Sequence, residues 1–283
     1  MQCPRVGIHY SQNGTPAMTD FFYLATPEKN NGYYAYAIFD GHVAYSAAVY
    51  AQQFLTRELC KTLDQDVDLS LENVADKIRL FIENFDEELM RQVSPDTGCT
   101  CCIALVNQDF IIIINIGNSK CLLFGDQLLF QTTDHKPVVS GEKNRIIRSG
   151  GRVSPDGKIF TDTVYGLHIS RSLGDAWYKK NNVVVCTPDV QVIKKTDEHQ
   201  YLLVGSDGMF AKRTNEEIVH YIHTSLQSIG KDQQFVCDDV VRFSHNPADN
   251  CTAILVDLRP YDDEEEVEEE VEEHAEIDLQ VHK

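Results

Sequence analysis

The segment CTCCIALVNQDFIIIINIGNSKCLLF, residues 99–124, decides the fold class of this chain. It contains three runs of apolar and β-branched residues, 99–106, 110–117 and 120–124, which are separated only by the short polar stretches NQD and NS. Such runs are typical of buried strands, and links this short favour antiparallel pairing between neighbours in the sequence. The segment therefore predicts an antiparallel meander.

Four further apolar runs predict strands elsewhere in the chain: YYAYAIFD (33–40), NVVVC (182–186), QYLLVGSD (200–207) and CTAILVDL (251–258). Several of these runs are apolar at successive positions, so both faces of the strands need to be covered. One sheet cannot cover itself on two sides, and we therefore expect two sheets packed face to face.

Helix patterns occur in two pairs, one before the meander and one near the C-terminal end. Apolar residues recur at helical spacing from Ala44 to Leu59 and again from Leu71 to Leu89. In the later pair, Thr214 and Glu217 form a capping-box pattern ahead of EIVHYIHTSL, and QQFVCDDVVRF follows. We predict an α+β fold, a central antiparallel β-sandwich flanked by helix pairs on both sides in four layers, α-β-β-α.

The chain has 283 residues and a formal net charge of −19, much of it at the C-terminal end. Residues 259–283 hold 12 acidic and two basic residues, a composition that favours a disordered tail. We predict a domain over residues 1–260, containing a flap-like loop region at about 134–181, and an acidic tail over 261–283. The tail promotes solubility or regulates the domain as a tethered anion. An acidic surface disfavours nucleic acid and membrane as partners. The oligomeric state stays open.

Nine cysteines are scattered through the sequence, several of them inside apolar runs. This usage favours small, buried, reduced thiols and therefore a cytoplasmic or nuclear protein that is not secreted. Cys99, Cys101 and Cys102 could begin a zinc site, but no second Cys or His pair follows at zinc-finger spacing. No leader of signal-peptide type and no apolar run of about 18 residues is present.

Aspartates stand at the ends of three apolar runs: Asp40 in AIFDGH, Asp207 in LLVGSDG and Asp249 in ADNCTAILV. Each Asp-Gly alone is a common turn. Together, at strand ends, the three carboxylates can meet, and their repulsion then requires cations between them. Oxygen ligands select a hard ion such as Mg²⁺ or Mn²⁺, and Gly41 allows its backbone carbonyl to approach. His42 is placed to act as a proton donor near neutral pH.

These residues lie in a series of motifs that resembles the metal-dependent type 2C protein phosphatases, the PPM family. The resemblance covers nearly all of residues 5–258. The motifs stand in the family's order, and they are FDGH, GCTC, INIGNSKCLLF, DHKPVVSGEKNRIIRSGGRV, GLHISRSLGDAWYK, TPDV, LLVGSDGMF and DNCTAILV. The resemblance implies the β-sandwich with flanking helix pairs and a hydrolase acting on phosphoserine and phosphothreonine in phosphorylated protein substrates.

The resemblance also implies roles for single residues. Asp40 would bridge two Mg²⁺ or Mn²⁺ ions, Gly41 would lend its carbonyl to one ion, and Asp207 with Asp249 would complete the other. Asp20, in MTD, matches an aspartate that helps to hold metal-bound water, and His42 would protonate the leaving oxygen after attack by a hydroxide activated between the ions. The residues that bind the substrate stay unknown.

The chain departs from the family pattern at several places near these motifs, and among them Val43 and Ala44 replace two glycines. Thr19 replaces a glutamate, and Thr15 falls where many members have a phosphate-binding arginine. Asn118 and Ala211 replace two aspartates that hold a third metal ion in the family. We therefore expect two ions and a phosphatase of reduced efficiency. The alternative is a catalytically inactive pseudophosphatase that acts as a binding or scaffold module.

Overall fold

The computed structural model describes residues 3–63, 71–161, 166–179, 182–228 and 232–260. The helices in these ranges are α1 (Ser46–Thr62), α2 (Leu71–Gln92), α3 (Ser140–Arg148), α4 (Ala176–Lys179), α5 (Asn215–Leu226) and α6 (Gln233–Ser244). The strands are β1 (Arg5–Ser11), β2 (Asp20–Ala25), β3 (Tyr34–His42), β4 (Gly98–Cys99), β5 (Cys101–Val106), β6 (Phe110–Ile116), β7 (Lys120–Phe124), β8 (Leu128–Gln131), β9 (Arg152–Val153), β10 (Ile159–Phe160), β11 (Leu173–Gly174), β12 (Asp189–Lys194), β13 (Tyr201–Gly205) and β14 (Cys251–Asp257). The acidic tail, 261–283, lies outside the described residues.

Two antiparallel sheets form the centre of the fold. The first has the strand order β1-β14-β13-β7-β8. The second has the order β11-β4-β3-β5-β6-β12, and β2 pairs with the free side of β3. The C-terminal residues of β3, Gly41 and His42, pair with β4 rather than with β5. Strand β3 therefore has hydrogen-bonded neighbours on both sides along most of its length.

The sheets face each other across an apolar layer, and helices cover their outer faces. Ile38 and Ile113 of the second sheet pack with Val204 and Ile254 of the first sheet, and all are buried. Helices α1 and α2 pack on the outer face of the second sheet, and α5 and α6 pack on the outer face of the first. The predicted four-layer α-β-β-α sandwich is confirmed, because strands that are apolar on both faces need cover on both sides.

The predicted meander is wrong in its third strand. β5 and β6 pair as expected, but β7 belongs to the other sheet, where it pairs with β13 and β8. The chain changes sheets at Gly117, which has φ +101. A Cβ there would lie 2.7 Å from Cγ2 of Thr100, so a larger residue would not fit without a shift. This crossover places Asn118 at one end of the sandwich.

The run 182–186 was also predicted as a strand, and the structure shows none there. Val183 and Val184 are buried by packing against the segment 134–179. The only ladder contact in this run is a single bridge between Val185 and Arg171. The β-branched residues of this run therefore fill a small core instead of extending a sheet.

The flap-like region has more regular structure than its polar sequence indicated. It contains α3, the short β9-β10 hairpin, β11 and α4, and Ile146 and Ile159 form its own buried cluster with Leu167. Glu142 of α3 holds the region together, because it accepts hydrogen bonds from Arg145, Arg171 and Ser170. None of the helices in the described part of the chain is both long and apolar enough to cross a membrane.

The N-terminus of α5 carries the capping box that the sequence predicted. The Thr214 hydroxyl accepts a hydrogen bond from the Glu217 backbone N–H at 3.2 Å, and the Glu217 carboxylate accepts one from the Thr214 N–H at 2.9 Å. Thr214→Ala should lower the free energy of unfolding by about 1 kcal/mol, because the Glu217 N–H in the first turn loses its hydrogen-bond acceptor. Urea denaturation measures this difference. Thr224→Ala, at an exposed interior position of the same helix, is the control and should not destabilise the protein. Equal losses in both variants would contradict the role of the cap.

Candidate active site

The three strand-end aspartates meet in one cleft. Asp40 lies near the C-terminal end of β3, Asp207 begins the short 3-10 turn Asp207–Phe210 after β13, and Asp249 precedes β14. Because β13 and β14 are antiparallel neighbours, the end of one strand and the start of the other lie at the same edge of the sheet. Asp40, Asp207, Asp249, Gly41 and His42 all line a cleft of about 360 Å³ at this end of the sandwich.

A fourth carboxylate stands directly behind the cleft. Asp20 of β2 is the register partner of Asp40 on β3, so two acidic side chains face each other across neighbouring strands. Asp20 is 4% exposed, and its Oδ2 accepts a hydrogen bond from the Ser206 hydroxyl at 2.7 Å. Its Oδ1 is buried and has no hydrogen-bond partner. Like charges placed directly opposite destabilise a sheet unless a proton or a cation lies between them.

Burial and neighbouring charges raise the pKa values of three of these carboxyl groups, Asp20, Asp40 and Asp249. Burial, and then the charges of Asp20, Asp207 and Asp249, hold the pKa of Asp40 well above its usual range. Burial raises the pKa of Asp20 from 3.8 to about 6, although the Ser206 hydroxyl lowers it in part. Burial and the Asp207 charge raise the pKa of Asp249. In the absence of cations, the cleft therefore retains protons that ordinary carboxyl groups release.

The donor set fits a hard divalent ion that keeps part of its water. In the described part of the chain, no group of three or more His, Cys, Asp or Glu side chains is arranged to hold a metal ion by itself. The carboxylates instead surround an open cleft, so water must complete the coordination of any ion there. Mg²⁺ commonly keeps several waters and uses only one or two carboxylates. The unpartnered Oδ1 of Asp20 can accept a hydrogen bond from such a water.

Gly41 is required by the close packing of the backbone. Its N–H donates to the Thr19 carbonyl at 3.0 Å, and a Cβ at this position would lie 2.9 Å from the same oxygen. The glycine therefore allows the 12–19 loop to lie against β3 beside the carboxylates. Asn250 fixes this loop, since its Oδ1 accepts from Thr19 and its Nδ2 donates to Thr15.

The imidazole of His42 is oriented by a buried carboxylate that the sequence analysis did not single out. His42 Nε2 lies 2.8 Å from Oδ2 of Asp175, which is fully buried and also accepts from the Ser172 hydroxyl at 2.5 Å. Because a carboxylate only accepts, Nε2 carries the hydrogen of this bond. Nδ1 is then the nitrogen left for chemistry in the cleft.

Asp175 is itself held in an unusual backbone turn. Gly174 and Asp175 have φ +78 and +54, so two successive residues adopt left-handed conformations. The Gly174 N–H donates to Asp86 Oδ1 at 2.7 Å, and Asp86 also forms an ion pair with Lys179. Asp86 thus connects helix α2 to the residue that orients His42.

Gly98 leaves the space in which His42 and Asp175 meet. A Cβ on Gly98 would lie 2.2 Å from Asp175 Oδ2 and 2.7 Å from His42 Nε2. Gly98 is paired in β4 with both His42 and Gly174, so its backbone has little freedom to move away. Any side chain at this position would force the two groups apart.

The comparison with known proteins agrees with this architecture. The family model for protein phosphatase 2C matches residues 7–250. The chain belongs to the protein phosphatase 2C family. It is 30% identical over 278 residues to the probable protein phosphatase 2C 21 of Oryza sativa subsp. japonica, covering 84% of this chain and 79% of that protein. It is 31% identical over 248 residues to protein phosphatase ppm-1.A of Caenorhabditis elegans, covering 78% of this chain but only 51% of that longer protein.

Solved structures of the family have the same fold. The crystal structure of serine-threonine phosphatase 2C from Toxoplasma gondii matches with a TM-score of 0.75 and 22% identity, over 90% of this chain and 95% of that chain. The phosphatase Stp1 from Staphylococcus aureus matches with a TM-score of 0.62 and 19% identity, over 92% of this chain and 96% of that chain. At these identities the likeness establishes the fold alone.

The positions that depart from the family pattern carry out local structural roles in this chain. Asn118 Nδ2 donates to Asp207 Oδ2 at 2.6 Å, so an amide partners this carboxylate. The Thr15 hydroxyl contacts the carbonyls of Gln12 and Ala17 in its own loop and accepts a hydrogen bond from Asn250 Nδ2. No Lys or Arg is among the described residues that line the cleft. Lys120 and Lys136 lie in an adjoining depression that Asp207 and Asp249 also line, and Lys120 Nζ lies 3.0 Å from Oδ1 of Asp134.

Asp20 should make the stability of the protein depend on pH. Its pKa is about 6 in the folded state, so the unfolded chain releases this proton first and the folded state binds more protons between about pH 4 and 6. Stability of the wild type therefore falls as pH rises through this window. Asp20→Asn has no proton to lose, and in a chelator it should gain up to about 3 kcal/mol relative to wild type between pH 4 and 7.

Urea denaturation at several pH values, with EDTA present, measures this difference. Asp76→Asn changes an exposed carboxylate of α2 and serves as the control. Its difference from wild type should stay nearly constant with pH. Parallel stability curves for wild type and Asp20→Asn would show that the carboxyl of Asp20 is not perturbed in the folded protein.

Proposed function

We propose that this chain is a Mg²⁺- or Mn²⁺-dependent protein phosphatase that hydrolyses phosphoserine and phosphothreonine in protein substrates. The observation that supports the proposal most directly is the cleft in which Asp40, Asp207 and Asp249 meet beside His42, with Asp20 behind it. Asp40, Asp207 and Asp249, with the Gly41 carbonyl, would hold two ions, and Asp20 would orient water from behind. Family membership supports the reaction class.

The carboxylates of the cleft cannot bind a phosphate group on their own, because both are anionic. When bound, two divalent ions supply a water of lowered pKa as nucleophile and neutralise charge that develops on the phosphoryl group. The protein's own residues place these components. The rigid ends of β3, β13 and β14 fix the carboxylates, and the Gly41 backbone keeps the neighbouring loop close.

His42 supplies the proton that the departing serine or threonine oxygen needs. The bond between Nε2 and Asp175 fixes the orientation of the ring, so Nδ1–H is the group that donates the proton. Asp175 acts as a positioning residue. Asp86 supports the arrangement through the Gly174 N–H and Lys179.

Reduced efficiency is part of the proposal. A phosphate that enters the cleft meets no Lys or Arg among the lining residues that the structure describes, and Thr15 is short and bound within its loop. A bidentate arginine would already bind phosphate in the ground state, so its absence raises KM more than it lowers kcat. Asn118 occupies one oxygen of Asp207 with an amide, which supports two ions rather than three.

A cytoplasmic or nuclear location is also proposed. All nine cysteines are free thiols in the structure, and seven of them are buried. A chain with this many thiols and no disulfide suits a reducing compartment.

Asp207→Ala should lower kcat/KM for a phosphothreonine peptide by roughly 100-fold or more in millimolar Mn²⁺, because one ligand of the ion pair is lost. Calorimetric titration should find two Mn²⁺ per wild-type chain and fewer in the variant. Asp96→Ala removes another carboxylate that lines the cleft and should retain most of the activity. If wild type is no faster than Asp207→Ala, the chain is instead the catalytically inactive pseudophosphatase.

Gly98→Ala should affect substrates according to their leaving group. Separating His42 from Asp175 removes the contact that orients the imidazole, so hydrolysis of a phosphothreonine peptide should slow by roughly 10- to 100-fold. Hydrolysis of p-nitrophenyl phosphate should change little, because nitrophenolate leaves without a proton. Gly141→Ala is the matched control, since nothing lies within 4 Å of a Cβ there. Equal slowing of both substrates would contradict the assignment of His42 as the acid.

A further inference from the structure

Two large apolar side chains are exposed in the active-site cleft. Val43 is 64% exposed, and Trp177, the only tryptophan of the chain, is 44% exposed. Isolated exposed apolar residues are common on protein surfaces. These two, however, line the same cleft as the aspartates. They also neighbour one hydrogen-bonded pair in sequence, since Val43 follows His42 and Trp177 comes two residues after Asp175.

Val43 adopts a conformation that disfavours its own side chain. It has φ +66, and the Ala44 N–H donates to the His42 carbonyl at 2.8 Å, which closes a rare and strained three-residue turn. A β-branched residue in the left-handed region is a genuine outlier, whereas glycine adopts it freely. Strain of this kind concentrates at functional sites. Val43 has an exposed side chain and a strained backbone, so it does not stabilise the fold, and we expect it to have a functional role.

The position of His42 indicates which part of a bound substrate lies near Val43 and Trp177. The phosphoryl group lies toward Asp40, Asp207 and Asp249, and the oxygen that His42 protonates belongs to the substrate's serine or threonine. In the proposed reaction, the peptide chain of the substrate therefore passes His42 in the cleft that Val43 and Trp177 also line. Leu167 and Ile169 are buried and add further apolar side chains to the lining of this cleft.

We propose that Val43 and Trp177 form a subsite for a large apolar side chain within two positions of the phosphorylated residue. This inference rests on the proposed function and names its substrate class: phosphoprotein segments with an aromatic or large aliphatic residue next to the phosphoserine or phosphothreonine. An extended segment advances about 3.3 Å per residue, so a neighbouring side chain reaches the walls of the same cleft. Val43 and Trp177 are then specificity-determining residues.

The test compares phosphothreonine peptides that carry either Phe or Ser at each of the two positions on either side. Wild type should hydrolyse the Phe peptide roughly tenfold better, in kcat/KM, at one or more of these positions. Val43→Gly and Trp177→Ala should each bring the ratio of Phe to Ser toward one. Leu80→Ala, which removes a 60% exposed apolar side chain from α2, should leave the ratio as in wild type.

Thermal melts separate specificity from folding. Val43→Gly should melt roughly 2 to 4 °C above wild type, because the strain is removed. A lower melting temperature would overturn the strain argument. Equal Phe-to-Ser ratios in wild type and both variants, or no preference for Phe in wild type, would overturn the subsite.

Intrinsic fluorescence tests the subsite without turnover. Trp177 is the only tryptophan of the chain, so its emission reports directly on occupancy of the proposed subsite. In Mn²⁺, a non-hydrolysable phosphonate analogue of the Phe peptide should change the emission at lower concentration than the Ser analogue, and Val43→Gly should remove this difference. If peptides bind in this way but are not hydrolysed, the subsite stands and the proposed enzyme activity fails. If peptides are hydrolysed with no such difference, the activity stands and the subsite fails.

Discussion

The mutual repulsion of four carboxylates is the constraint around which this structure is arranged. Asp20 and Asp40 stand opposite each other on paired strands, and Asp207 and Asp249 approach Asp40 from the other sheet. Packing alone would not select such a cluster, since each buried charge costs free energy unless it is paired. The cluster is tolerable with protons, as the raised pKa values of Asp20 and Asp40 show, or with cations. Stability, pH dependence and metal affinity of this fold are therefore linked properties of one cleft.

The sandwich meets this constraint by making the strand ends rigid. β3 has neighbours on both sides and lies between the apolar interior and helix α1, so Asp40 cannot move away from Asp20. The proton donor, His42, is also held in place by contacts with other elements. His42 is held by Asp175, and Asp175 depends on a left-handed turn that Asp86 stabilises from α2. Helix α2 thus contributes to the site although none of its residues lines the cleft.

The sequence predicted the parts of the fold that depend on local pattern. Apolar runs placed β3, β5, β6, β13 and β14, and helical spacing placed α1, α2, α5 and α6. It missed β1, β2, β8 and β12, because their residues alternate weakly or are half exposed. It put β7 in the wrong sheet, since only the fold around Gly117 determines that the chain crosses over. Asp40, Asp207 and Asp249 were predictable because each follows or precedes an apolar run, whereas Asp20 was named only through the family resemblance. Asp175 and Asp86 were not, because their partners are 133 and 88 residues away. One signal existed for Asp86: it is an acid within the apolar stripe of α2, between Ile82 and Leu89.

The charge of the cleft also limits how the scaffold alternative can work. A phosphate group carries up to two negative charges, and the described residues that line the cleft offer it no lysine or arginine. Without cations, the carboxylates repel the phosphate group. This repulsion is strong because the low local dielectric strengthens interactions between charges. A pseudophosphatase that protects phosphorylated partners through this cleft would therefore need the same divalent ions as an enzyme. A metal-free scaffold must instead bind its partners through another surface or recognise segments without phosphate. Loss of phosphopeptide binding on chelation is therefore expected both for an enzyme and for a scaffold that binds phosphate in this cleft. Only turnover, not binding, distinguishes these two functions.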